Sequence, residues 1–201
     1  MSYEVTLARV REISALLAGG AAAPSAGPSA GPPPPPSAFA SALREAQAAP
    51  PGALFGSADT AARIVGAARG EIGQAEMPPG SNDSPRIAAY RSATAGSGVG
   101  PWCAYFTSWV ARQAGAPLGD GGEGFGSVDA LYAWAQRSGK ALPAAGAVPR
   151  PGDLIVFDEH IGVVEGVLGD GRIQTIEGNS SDRVAQRVRS PGEAIGYVRL
   201  V

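Results

Sequence analysis

A chain of 201 residues that holds one cysteine and one histidine has few routes to covalent chemistry, and the two singletons decide which remain. Cys103 follows Gly100-Pro101-Trp102. It opens a stretch whose apolar residues, Phe106, Val110, Ala111 and Ala114, recur at helical spacing before Gly115. A cysteine attacks as its thiolate, which a helix N-terminus and a neighbouring imidazole both favour. The unpaired N–H groups of such a first turn also offer donors to an oxyanion. The plainer alternative is a small buried core residue, the ordinary fate of a lone cysteine. His160 stands at the mouth of a strand, after Asp158-Glu159, where the plain alternative is a surface loop histidine. One Cys and one His leave a zinc site short of ligands, so no metal and no other cofactor is expected.

The segments 161–167 and 172–177 flank Leu168-Gly169-Asp170-Gly171, a hairpin signal. With two residues at the centre of the turn, cross-strand partners sum to 339 or 341. Opposed residues share a face and faces alternate along a strand, so an odd sum puts His160 beside Glu177 and Asn179. A three-residue loop gives an even sum and opposite faces. On a shared face, either Glu177 or Asn179 accepts the imidazole Nδ1–H and sets its tautomer, leaving Nε2 to face a thiol. The competing reading of Glu177-Gly178-Asn179 is a strand end running into a polar turn. Trp102, Tyr105, Trp134 and Asn82 are candidates to line a substrate groove. Helical aromatics are more often core, however, and Asx residues in turns more often cap backbone.

These residues need elements to hold them. Tyr3, Leu7, Val10, Ile13 and Leu17 form one stripe of a short helix over 1–18. Glu4, Arg9, Arg11 and Glu12 interrupt any continuous apolar run, so it makes a poor signal peptide. It is left to dock on a protein partner, on export machinery or on the chain itself. Residues 19–56 are a linker, of Ala, Pro, Gly and Ser over 19–37 with a proline run at 32–36, followed by a brief helix over 39–49. Such a composition buries too little apolar area to offset its ordering entropy.

A single domain is expected over 57–201. Ser57 caps a helix with Ala61, Ile64, Val65, Ala68 and Ile72 on its apolar face and Gly73 at its end. Ser84-Pro85 opens a short helix to Tyr90, and 127–138 form another with Leu131, Trp134 and Ala135 inward. The period then changes to strands at 154–157, 161–167, 172–177, 184–188 and 194–201. Helices first and roughly five antiparallel strands second mean an α+β fold. A net charge of −2 argues against nucleic acid as the main partner. No apolar run approaches the ~20 residues of a membrane span.

Three blocks in order carry a family likeness. They are Pro101-Trp102-Cys103-Ala104-Tyr105-Phe106, then Arg150-Pro151-Gly152-Asp153-Leu154-Ile155-Val156-Phe157 leading to His160-Ile161-Gly162-Val163-Val164-Glu165, then Glu177-Gly178-Asn179. Together they resemble the CHAP domain, the cysteine, histidine-dependent amidohydrolase/peptidase family of peptidoglycan hydrolases. The resemblance covers about 57–201 and implies a papain-like α+β fold. It places the family's Cys, His, Glu and Asn at Cys103, His160, Glu177 and Asn179. The related NlpC-type peptidases put a second histidine third, which this chain lacks. Some members carry an acidic calcium loop before the cysteine; here 92–102 contain no Asp or Glu, so no such site is expected. The implied reaction cleaves an amide of cell-wall peptide through a thioester, outside the cytoplasmic membrane, by an unknown export route. Two alternatives stay open: an amidohydrolase of a small non-wall amide, and a non-catalytic wall-binding or assembly module on the same fold.

Overall fold

The computed structural model describes residues 56–201. The helices expected over 1–18 and 39–49, and the linker save its last residue, lie outside the described residues. Four helices come first: α1 (Ser57–Arg69), α2 (Pro85–Arg91), α3 (Cys103–Gln113) and α4 (Val128–Arg137). Six strands follow: β1 (Ala141–Pro143), β2 (Leu154–Phe157), β3 (His160–Val167), β4 (Ile173–Glu177), β5 (Ala185–Arg189) and β6 (Gly196–Val198). They form one antiparallel sheet in the order β1-β6-β2-β3-β4-β5. The class is α+β, with one strand more than expected. That strand, β1, is three residues on the sheet edge, too short for alternation to register.

Local chemistry explains most helix ends. Ser84 Oγ accepts the Ile87 N–H, and Ser127 Oγ accepts the Ala130 N–H, the usual way to satisfy orphan donors of a first turn. The start of α1 departs from expectation, since Gly56 is the cap and Ser57 the first helical residue. Its end departs too. The helix stops at Arg69 rather than running to Ile72, which is 45% exposed. Beyond Gly70 the chain turns so that buried Glu71 meets Arg86 Nε at 2.7 Å and the Tyr90 hydroxyl at 2.6 Å.

The apolar run Leu154-Ile155-Val156-Phe157 is buried throughout because β2 is covered on both faces. Leu154 and Val156 join Ile64, Phe106, Val110 and Leu131 in the core beneath the helices. Ile155 and Phe157 join Val164, Ile173 and Tyr197 in a smaller cluster. Phe157 opposes His160, so His160 lies on the face of the smaller cluster.

The β3–β4 hairpin decides what shares that face with it. The connection has three residues, 169–171, not two: the Leu168 N–H bonds the Arg172 carbonyl, and Gly171 takes φ +83°. Next to the turn the partners therefore sum to an even number, as in Val167↔Ile173 and Gly166↔Gln174. A β-bulge at Glu165 then inserts one residue, and Val164↔Thr175 and Val163↔Ile176 restore the odd sum of 339. Buried Glu165 bonds Arg69 of α1 and Gln186 of β5. The expected shared face exists, but a bulge creates it rather than a two-residue turn.

Candidate active site

Cys103 is the first residue of α3. Trp102 occupies the cap position at φ −117°, ψ 16°, and no side chain caps the helix. The first internal bond runs from the Phe106 N–H to the Trp102 carbonyl. The N–H groups of Cys103, Ala104 and Tyr105 thus have no acceptor within the helix. These three residues line a cleft of about 380 Å³ with Pro101, Gly126, Ser127, Val128, Asp129 and Glu159.

From the sheet, His160 Nε2 meets Glu177 Oε2 at 2.9 Å. Gly162 makes this possible. At a sum of 339 it lies opposite Glu177, and a Cβ there would stand 2.7 Å from Glu177 Cγ. The carboxylate crosses the space that a side chain would fill. It is fully buried and takes four donors. Arg189 Nε and Thr175 Oγ1 reach Oε1 at 2.8 and 2.7 Å; Arg189 Nη2 reaches Oε2 at 2.6 Å beside the imidazole. Burial opposes its ionisation, yet Arg189, His160 and Thr175 outweigh burial and hold the carboxyl down at about 2. Burial likewise opposes charge on His160, but the neighbouring Cys103 and Glu177 side chains lift it to about 9.

The ring nitrogens are thus assigned opposite to expectation. Nε2, farther from the point of attachment, spans to the carboxylate on the neighbouring strand. Nδ1 is left for the thiol side.

Asn179 does not hold the ring. It stands past β4 at φ 55°; with its amide assigned so that both atoms are satisfied, its NH2 faces Glu76 Oε1 at 3.3 Å and its oxygen faces the Trp102 N–H at 3.3 Å. Glu76 is buried; it also accepts the Trp102 indole N–H at 2.9 Å and the Asn82 backbone N–H at 2.8 Å. This network braces the residue before Cys103 from behind. Gly178 lets the helix approach, since a Cβ there would lie 2.5 Å from Phe106 Cβ.

Of the four groove candidates, Tyr105 alone lines the cleft, its hydroxyl donating to the Gly98 carbonyl at 3.0 Å. Asn82 and Trp102 belong to the Glu76 network, and the Trp102 ring, fully buried, stacks near Tyr90 at 5.9 Å. Trp134 is core: its indole donates to Asp120 at 2.9 Å, and it packs against Phe125 at 5.5 Å. Sequence reasoning missed Arg189, Thr175, Gly162 and Glu76. Gly162 was within reach, because 162 and 177 sum to 339. Among the described residues no group of three or more His, Cys, Asp or Glu side chains could hold a metal, and no helix is long and apolar enough to cross a membrane.

No curated protein and no solved structure matches the chain. Residues 94–179 match the family model described as the CHAP domain, a narrower span than the likeness read over 57–201. That family implies an amidase- or peptidase-type hydrolase role on peptidoglycan. The matched span opens in the loop before α3, passes through His160 and Glu177 and ends on Asn179; over it, the chain is similar to the CHAP domain.

Proposed function

We propose that this chain is a cysteine amidase or endopeptidase of bacterial cell-wall peptide, acting outside the cytoplasmic membrane where that substrate lies. The observation that carries the reading is one imidazole hydrogen-bonded to a buried carboxylate that accepts four bonds, within electrostatic reach of Cys103 at the helix start. Cysteine nucleophiles need a base that is itself oriented by a third group. His160 takes the proton of Cys103 as the sulfur attacks, its own proton affinity being raised to about 9. The sulfur attacks the amide carbonyl carbon, and the uncapped N–H groups at the head of α3 receive the oxyanion. His160 gives its proton to the departing amine as the C–N bond breaks. Water then attacks the thioester, with the ring accepting a proton from it, and frees the acid and the thiol. Asn179 steadies the Trp102–Cys103 turn that presents sulfur and donors together.

The test is release of dye from labelled peptidoglycan sacculi by the full chain beside Cys103→Ala. Wild-type release that falls roughly 10³-fold or more in the variant is expected, and mass spectrometry of the fragments names the bond. Equal release by both proteins, or binding by both without release, overturns the reading.

A further inference from the structure

We propose that Arg189 is a positioning residue for the Cys103–His160 pair: its guanidinium fork locks the Glu177 carboxylate, and through it the imidazole, in one orientation toward the thiol. The inference rests on the roles given to those three residues above.

Four observations converge on it. Arg189 ends the edge strand β5 and opposes Ile173, which puts it on the face that carries Thr175 and Glu177. Its Nε and Nη2 take both carboxylate oxygens in parallel, at 2.8 and 2.6 Å. With Thr175 and His160 the four acceptor positions of a carboxylate are filled, so Glu177 can neither rotate nor change partner without breaking a buried bond. The guanidinium centre also lies 5.0 Å from the Phe157 ring, and that ring stacks on His160 at 5.9 Å and 25°. Arg189 thus backs the imidazole twice, through the carboxylate at its nitrogen and through Phe157 at its face. Glu193, 3.4 Å from Nη1, holds the outer side of the guanidinium.

The charged and titratable groups facing Glu177 are His160 from β3 and Arg189 from β5, with Cys103 beyond the ring and Glu193 beyond the guanidinium. Removing the one permanent cation makes every acid in this cluster hold its proton more tightly. Both limbs of a pH profile must then move upward. A lysine restores the charge but cannot fork, so it separates charge from orientation.

The experiment uses the full chain, with two probes at each pH. One is hydrolysis of dye-labelled sacculi; the other is the rate of alkylation by iodoacetamide, which reads a single thiol because Cys103 is the one cysteine. Expected for Arg189→Gln is a loss of roughly 10²-fold in kcat with KM within about twofold, and both limbs raised by about one pH unit. Arg189→Lys should return the limbs to their wild-type positions while kcat recovers only in part. An Arg189→Gln profile that does not move, or a loss of rate that matches the unfolded fraction by circular dichroism, overturns the proposal. Should Arg189→Gln fail to fold, Arg189→Lys decides. A folded protein about tenfold slower at unchanged KM supports positioning, and wild-type kcat overturns it. If the wild type leaves sacculi intact, alkylation decides alone. A shifted alkylation profile then sinks the wall-hydrolase reading but keeps the role of Arg189, and an unshifted one ends that role.

Discussion

The start of α3 and the β3–β4 hairpin treat their polar groups in opposite ways. At the head of α3, Trp102 stands where Ser84 and Ser127 stand on α2 and α4, and it offers no side-chain oxygen, so the first N–H groups stay unclaimed. Where β3 begins and β4 ends, the Glu177 carboxylate has no claim left to make, with Arg189, Thr175 and His160 filling it. The first arrangement suits a surface that must accept a new charge during a reaction. The second suits a group that must not move while its neighbour gains and loses a proton. One side is therefore left open and the other saturated, and each can be disturbed separately.

The sharpest break comes from Glu177→Gln. The amide keeps the shape but leaves half-buried Arg189 without its main counter-charge and one buried acceptor mispaired, at a cost of about 1–3 kcal/mol. Hydrolysis of sacculi should fall roughly 10²–10³-fold, with urea unfolding reporting the lost stability. A variant as stable and active as the parent would erase the difference between the two sides.

Gly162→Ala tests the same side more gently. A Cβ at 2.7 Å from Glu177 Cγ forces the carboxylate aside. Stability should fall by about 1–3 kcal/mol, and activity roughly tenfold or more, because small misplacements near a reacting centre are costly. Loss of stability with full activity would show that the carboxylate has slack.

The pH dependence of melting sharpens the comparison. His160 is raised from 6.5 to about 9, so its contribution is complete below 6.5 and is lost as pH climbs toward 9. Glu177 is lowered from 4.5 to about 2, so its contribution is complete above 4.5 and is lost as pH falls toward 2. Both are present between about 4.5 and 6.5, and thermal melts should peak there. In His160→Ala the alkaline decline should flatten; an unchanged decline would assign it to other groups.

Trp134→Phe sets the floor of the series. It removes the indole bond to Asp120 at about 1 kcal/mol, and the rate on sacculi should stay within about twofold. A tenfold loss of rate would return Trp134 to the substrate groove.

How much of this was legible differs residue by residue. The start of α3 could be read because Gly100-Pro101 breaks the chain and Phe106, Val110 and Ala111 follow at helical spacing. The meeting of His160 with Glu177 could be read only on condition, through the parity of a hairpin. The condition failed in its stated form, since the loop has three residues, and was restored by a bulge whose cause, Glu165 facing Arg69 and Gln186, draws on α1 and β5. Ile72 was misread because Glu71 beside it seeks Arg86 and Tyr90, 15 and 19 residues on. Arg189 was invisible as a partner because its strand could be recognised without knowing which face it turned to Glu177.

Order along the chain was enough to set the helices before the strands, the thiol at a helix start, and an imidazole and carboxylate on successive strands. Those are short-range matters of spacing, turn residues and alternation, each settled within a dozen residues. Which ring nitrogen meets the carboxylate, which donors saturate it and what Asn179 braces were left to packing. They depend on side chains 12 to 103 residues apart, such as Glu177 with Arg189 and Asn179 with Glu76, and no local pattern encodes how far one strand slides past the next.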